Sequence, residues 1–321
     1  MDYSVIVPVY NRPDEIDELL QSLTQQTYKN FEVIIVEDGS ENRCEHVVEK
    51  YSDLLNIRYY FKQNSGQGFS RNFGFEKATG DYFIVFDSDC LIPTHYFETV
   101  NRALLFHGFD AWGGPDRAHP SFTPVQKAIS YSMTSFFTTG GIRGRKNHIG
   151  TFHPRSFNMG ISREVYEKTG GYRITRMGED IEFSLRIIEN GFTTGLIENA
   201  YVYHKRRTDF KQFYRQLHFF GRARINIKRF YPDELKFVHL LPVFFVIGLP
   251  IFLFLSITSD GLLSKLILLY PAYFALLFVD AFSSERNLKV SLLSVIAAFI
   301  QLTAYGIGFL RELSDDYKKS T

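Results

Sequence analysis

Two carboxylates spaced two residues apart, Asp87 and Asp89, end an unbroken apolar run, Tyr82-Phe83-Ile84-Val85-Phe86. Such a run of aromatic and β-branched residues suits a strand buried on both faces of a parallel sheet. Ligands of open α/β sheets gather beyond the carboxyl ends of the strands, which is where these acids would stand. On extended chain, residues two apart project to the same side. Two hard oxygen ligands on one side of a cleft suit Mg²⁺ or Mn²⁺ completed by substrate phosphates. A polar turn after a strand would use the same residues, so the D-x-D spacing alone does not decide.

Other groups with chemistry also recur at the ends of apolar segments. Asp38 follows the run Phe31 to Val36 and Glu37. Glu179-Asp180 follows Met177-Gly178 and opens a segment in which Ile181, Leu185 and Ile188 share one helical face. Acids in a first helical turn also suit the helix dipole without any catalytic role. His204 closes Tyr201-Val202-Tyr203. Gly66 and Gly68 let a loop approach a ligand closely, and Arg71 with Asn72 would open the next helix at an N-terminus that favours anions. Arg71 is therefore a candidate for contact with a diphosphate or a base.

The elements that must position these groups alternate along the chain. Ser4 to Val9 is a β-branched strand, Asn11 or Arg12 stands near a helix N-cap, and Pro13 takes a first helical position. Ile16, Leu19, Leu20 and Leu23 then mark one helix face. Strands at Phe31 to Val36, Ile57 to Phe61 and Tyr82 to Phe86, with helical segments between, predict an α/β domain with a doubly wound, mostly parallel sheet. A dinucleotide-binding version fails at its first turn, where Pro8-Val9-Tyr10-Asn11-Arg12 replaces Gly-x-Gly-x-x-Gly. Trp112 reads as core or as a ring that stacks on a ligand. Residues 118 to 157 read as irregular, with a loop over the ligand site around Gly140-Gly141-Ile142-Arg143-Gly144-Arg145-Lys146.

Five stretches in this order resemble the motif series of family 2 glycosyltransferases, inverting enzymes of the GT-A fold, here of a membrane-anchored bacterial type. They are Val5-Ile6-Val7-Pro8-Val9-Tyr10-Asn11, Val36-Glu37-Asp38-Gly39-Ser40, Asn64 to Gly74, Asp87-Ser88-Asp89 and Gly178-Glu179-Asp180. The resemblance covers roughly residues 3 to 230. It implies a nucleotide-diphosphate sugar as donor, carrying UDP, dTDP or GDP. Asp38 would accept a hydrogen bond from the base while Pro8, Val9, Tyr10 and Asn11 wall it. Gly66, Arg71 and Asn72 would meet the nucleotide from the glycine-containing loop, and Asp87 and Ser88 from the central strand. Asp89 with Asp87 would hold Mg²⁺ or Mn²⁺, and His204 could reach the metal or the diphosphate. Asp180 would be the general base on the acceptor hydroxyl, with Glu179 orienting it. Glu37 departs from the paired aspartates of many members, one position before the matched Asp38.

The charge and hydropathy pattern divides the chain. Net charge is +1, and the two cysteines, Cys44 and Cys90, form no metal-ligand spacing, which suits a reducing compartment. The start of the chain has no basic, apolar leader and reads as a first strand. From Lys205 to Arg229 nine basic residues face one acid, Asp209, and alternate with aromatic and aliphatic residues. This composition suits amphipathic helices on an anionic membrane surface more than nucleic acid, because apolar runs at 237–258, 262–280 and 290–310 follow it. The expected organisation is a catalytic domain at 1–204, interfacial helices at 205–236 and about three membrane helices at 237–321. The basic belt places the catalytic domain on the cytoplasmic side of a multi-pass inner-membrane protein. Gln212-Phe213-Tyr214-Arg215-Gln216 resembles the Q-x-x-R-W motif of processive synthases, but Gln216 replaces the tryptophan, which favours single-sugar transfer. The acceptor is expected to be lipid-linked or a membrane-presented glycan of the cell envelope. The alternatives are transfer to polyprenyl phosphate, or an inert nucleotide-sugar-binding scaffold.

Overall fold

A computed structural model of the chain describes residues 1–140 and 152–320. They form two compact units, residues 1–119 with 152–205, and residues 120–140 with 206–320.

The first unit begins with β1 (Tyr3–Val9), α1 (Pro13–Thr24), β2 (Phe31–Asp38), α2 (Glu45–Glu49), β3 (Ile57–Lys62), α3 (Gln67–Lys77) and β4 (Tyr82–Phe86). β5 (Cys90–Leu91), α4 (Tyr96–His107), β6 (Ala111–Gly113) and β7 (Asp116–Arg117) follow. After an excursion into the second unit, α5 (Pro124–Thr134) and α6 (Phe136–Thr139), the chain resumes with β8 (Asn158–Ser162), α7 (Arg163–Thr169), α8 (Glu179–Glu189), β9 (Thr194–Leu196) and β10 (Val202–His204). Seven strands form a sheet in the order β3-β2-β1-β4-β8-β6-β9, and β5, β10 and β7 form a smaller one. β1 to β4 are mutually parallel where they pair, as expected, while β8 runs antiparallel to both β4 and β6.

The side chains of β1 and β4 alternate between two cores. Val5, Val7, Val9, Ile84 and Phe86 enter one with the face of α1, while Ile6, Phe83 and Val85 enter the other with Phe75 and Phe183. This two-sided burial is why the strands read as continuous apolar runs. Trp112 is core, fully buried on the first side. Because β1, β2 and β4 are parallel, Tyr10 to Arg12, Asp38 and Asp87 to Asp89 emerge at one edge of the sheet.

The second unit corrects one expectation. Residues 118–157 are not uniformly irregular, since α5 and α6 lie within them; of the expected donor-site loop, residues 141–146 fall outside the described residues. Thr123 and Gln126 close a capping box at the start of α5. Ala128, Ile129 and Met133 pack with Phe213, Leu217, Ala297 and Ala304 of α9 (Phe210–Phe230) and of the last helix described below. Phe213 and Leu217 of α9 are thus buried against protein, while Tyr214, Phe219 and Phe230 stay exposed.

Three helices follow, α10 (Leu241–Thr258), α11 (Leu269–Glu285) and α12 (Leu288–Ser320). The segments Phe237–Thr258, Leu263–Glu285 and Leu288–Asp315 are each long and apolar enough to cross a membrane. α9 and α12 touch backbone to backbone. A Cβ on Gly221 would stand 2.1 Å from the Tyr305 carbonyl oxygen, and one on Gly308 would stand 2.1 Å from that of His218. Glu312 then accepts from Arg222 at 2.8 Å and Arg229 at 2.9 Å. α5 is tied to α11 by the Tyr131 hydroxyl, which donates to Asp280 Oδ2 at 2.6 Å, and by Ser135 Oγ at 3.2 Å.

Candidate active site

The central strand delivers Asp87 and Asp89 at the sheet edge as its sequence implies, but the two acids have different surroundings. Asp89 is buried, with Arg12 Nη1 2.6 Å from Oδ2 and His204 Nε2 3.1 Å from Oδ1. His204 reaches it because β10 pairs antiparallel with β5, setting His204 opposite Cys90, and because Lys205 N donates to the Asp89 carbonyl at 3.0 Å. Phe157 stacks on the imidazole at 5.0 Å. Asp87 is more open, with Oδ1 accepting from Arg71 Nη2 at 2.9 Å and Oδ2 3.9 Å from His204 Nε2.

Ligand atoms of Asp89, Cys90 and His204 lie within 4.8 Å of one another, a grouping of the kind that holds a metal. Asp89 Oδ1 is buried with His204 Nε2 3.1 Å away, a carboxylate oxygen and an imidazole nitrogen placed as two ligands of one cation would be. Carboxylate, imidazole and thiol fit a divalent transition ion, with Asp87 at the rim. Cys90 therefore joins the cluster, against the expectation from cysteine spacing. Its partner His204 arrives from a distant strand, which linear spacing cannot register.

Burial would raise the Asp89 carboxyl, but the charges and hydrogen bonds of His204 and Arg12 outweigh it and hold the group well below the usual carboxylate range. Glu179 is the opposite case. Burial first, then the neighbouring charge of Asp180, push it up against the pull of Arg71.

Arg71 links the two acidic groups. It is 1% exposed, bonded to Asp87, 3.6 Å from Glu179 Oε1 and 5.4 Å from the Tyr172 ring. Helix α3 starts at Gln67, so Arg71 lies in the second turn and not at an anion-binding terminus. Gln67 Nε2 donates to Glu179 Oε1. Asp180 is partly exposed at the first turn of α8, with Arg155 Nη1 3.4 Å from its Oδ2.

The residues expected to wall the nucleotide separate into two layers. Tyr10 is 53% exposed and Pro8 half-buried, so both can face a ligand. Val9 is core. Asn11 Oδ1 accepts from the backbone of Glu41 and Asn42 at 2.9 and 3.0 Å, which fixes the loop after β2. Both oxygens of Asp38 are engaged, by Lys62 at 2.7 Å and by the backbone N–H groups of Ser65 and Gly66 at 2.9 Å each. Its carboxyl is held below the usual range, these bonds prevailing over burial. Gly66, at φ +88°, turns the chain so that its N–H meets Asp38. Asn72 forms a paired side-chain bridge to the backbone of Tyr172, 2.8 Å in each direction, and Ser88 is buried. Val9 thus lies in the core and the Asn72 amide is taken up by the backbone of Tyr172, whereas Arg71 keeps Nε and Nη1 without a hydrogen-bond partner. Arg12, Arg155, Gln67 and Lys62 were not singled out from sequence as site residues. Arg12 carried one signal, its place beside Pro13, but the structure sends its side chain to Asp89 and not to a helix cap.

The family model described as "Glycosyl transferase family 2" matches residues 4–170. An uncharacterized glycosyltransferase of Haemophilus influenzae is 45% identical over 210 residues, covering 62% of this chain and 67% of that protein. The minor teichoic acid biosynthesis protein GgaB of Bacillus subtilis is 27% identical over 215 residues, covering 65% of this chain and 23% of its own length. Several further curated relatives are matched over no more than 24% of their length. Among solved structures, the mannosyltransferase PcManGT from Pyrobaculum calidifontis, in complex with GDP-Man and Mn²⁺, superposes with a TM-score of 0.65 at 17% identity, covering 94% of this chain and 86% of that one. At that identity the likeness is one of fold, a GT-A α/β domain.

Proposed function

Because the chain belongs to glycosyltransferase family 2, we propose that it moves a sugar from a nucleotide-diphosphate donor to an acceptor hydroxyl with inversion at the anomeric carbon. The observation that carries this reading is the guanidinium of Arg71 shared between Asp87 and Glu179, which holds a donor-binding and a proton-accepting carboxylate pair in one site.

Asp89, His204 and Cys90, with Asp87 at the rim, would hold the divalent ion. Bound there, the ion supplies charge neutralisation for the departing diphosphate. The thiol and imidazole favour Mn²⁺ over Mg²⁺, and the Mn²⁺ in the mannosyltransferase complex supports the same choice. Asp180 takes the proton from the attacking hydroxyl, Glu179 and Gln67 fix the start of α8, and Tyr10 and Pro8 cover the base. Asp38 acts by holding the loop at Ser65 and Gly66 under the nucleotide.

The acceptor is read as a cell-envelope glycan or lipid-linked saccharide. The match to a protein named for minor teichoic acid biosynthesis and the three apolar helices support that class. The basic residues before the first span favour a cytoplasmic catalytic unit at the inner membrane. Arg155 beside Asp180 favours an acceptor bearing phosphate, so polyprenyl phosphate is the second reading.

The test uses detergent-purified full chain with UDP-, GDP- and dTDP-sugars and Mn²⁺ or Mg²⁺. One donor should bind only with metal, Asp89→Ala should abolish that binding, and Asp180→Asn should bind but not turn over. Substantial turnover by Asp180→Asn would favour the polyprenyl-phosphate reading, and no binding of any donor would reject the assignment.

A further inference from the structure

Arg12 holds one oxygen of the acid whose other oxygen faces His204 in the candidate metal cluster. Its Nη1 is 2.6 Å from Asp89 Oδ2, and the side chain is 30% exposed, so it has solvent to move into. The turn that presents it is pinned by hydrogen bonds. Asn11 adopts φ +53°, a left-handed conformation uncommon outside glycine. It is fixed by Asn11 N donating to Ser40 Oγ at 2.7 Å and by the two bonds its side chain accepts from Glu41 and Asn42. Ser40 is in turn bonded to Glu37, whose other oxygen accepts from Cys44 N at 2.7 Å. Pro13 sets the next φ and starts α1, and Arg12 caps nothing with its side chain. The turn between β1 and α1 is thus pinned on both sides of the one residue whose guanidinium points at the metal-binding acid.

A divalent ion coordinated by Asp89 and a guanidinium on the same carboxylate repel each other at close range. Once displaced, an arginine at the mouth of this site meets the other anion that must be present, because guanidinium forks match phosphate oxygens. We propose that Arg12 is an exchangeable counter-ion. It neutralises Asp89 in the ligand-free protein, yields to the metal, and then pairs with the diphosphate of the donor. Metal and nucleotide are thereby coupled, since the metal's entry frees the arginine that the diphosphate needs. This rests on the metal reading above.

The test measures Mn²⁺ binding to the full chain in detergent by paramagnetic resonance of the free ion, then UDP and GDP binding at saturating Mn²⁺. Arg12→Gln should bind Mn²⁺ alone roughly tenfold more tightly than wild type and the nucleotide roughly tenfold more weakly, the scale of one close charge pair. Arg12→Lys should return Mn²⁺ affinity toward wild type without restoring nucleotide affinity. Equal or weaker Mn²⁺ binding by Arg12→Gln overturns the exchange, and unchanged nucleotide affinity overturns the diphosphate contact. If wild type and both variants all fail to bind Mn²⁺ with either nucleotide, the metal reading itself is rejected.

Discussion

Asp89 and Glu179 are carboxylic acids of similar burial, 9% and 6% exposed, yet the protein pushes them in opposite directions. Asp89 meets Arg12 on one oxygen and His204 on the other, and is held below the ordinary range. Glu179 meets only the distant side of Arg71, at 3.6 Å, because that guanidinium is committed at 2.9 Å to Asp87. With Asp180 adjacent, burial prevails and Glu179 is raised. Desolvation acts on both groups, so the closeness of their charged and hydrogen-bonding partners decides the sign. One end of the site keeps a lowered carboxyl and the other a raised one, which in the proposed reaction would be the metal end and the end beside the proton acceptor.

The sharpest way to separate the two ends is to disable one chemically without disturbing the other. Asp180→Asn should lower turnover roughly 10²- to 10⁴-fold, the usual worth of a general base, while leaving metal-dependent nucleotide binding intact. Loss of both together would mean that Asp180 belongs to the donor end.

Arg71 is the element the two ends share, so its removal should blur the contrast. Arg71→Met leaves Asp87 and Glu179 facing each other without their cation. Asp87 is a third exposed and can be hydrated, so the loss should fall below the roughly 3–5 kcal/mol of breaking a fully buried pair. A thermal-unfolding comparison of wild type, Arg71→Met and the double variant Arg71→Met with Glu179→Gln checks this. The double variant should recover part of the loss, since it removes one stranded charge. Equal stability of the single and double variants would show that Arg71 acts only on Asp87.

How much of this was legible depended on whether partners are near in sequence. The run Tyr82 to Phe86 announces a two-sided strand, and parallel pairing then brings Asp38 and Asp87 to Asp89 to one edge without further information. The three long apolar runs were equally open to reading. His204 with Cys90 was not, because that meeting depends on the register of two very short strands. α5 was hidden by Ser130, Ser132 and Ser135, which break the apolar pattern. Ser132 is nonetheless buried, because its hydroxyl donates to the Ile129 carbonyl at 2.9 Å inside its own helix. The basic, aromatic segment that became α9 looked like a surface helix. Its glycine at position 221 and Gly308 mark where α9 and α12 approach each other. Arg71 was seen, but the helix begins one turn earlier than its glycines suggest, and that turn sets the guanidinium in the interior.

The smallest expected effect is the one that tests the comparison most directly, because it asks only for a slope. For Glu179 the folded-state pKa lies above the ordinary 4.5, so between those two values the folded chain keeps a proton that the unfolded chain releases. Its contribution to stability is full below 4.5 and is lost as pH rises through the folded value. For Asp89 the folded pKa lies below the ordinary 3.8, so its contribution is present above 3.8 and is lost as pH falls through the folded value. Thermal unfolding across pH should therefore lose stability on both flanks, with Glu179→Gln flattening the limb above pH 4.5 and Asp89→Asn flattening only the acid limb below pH 3.8. If Glu179→Gln left the upper limb unchanged, Glu179 would be ionised in the fold. The Arg71 charge would then have to serve both carboxylates, and the contrast between the two ends would reduce to a difference in exposure.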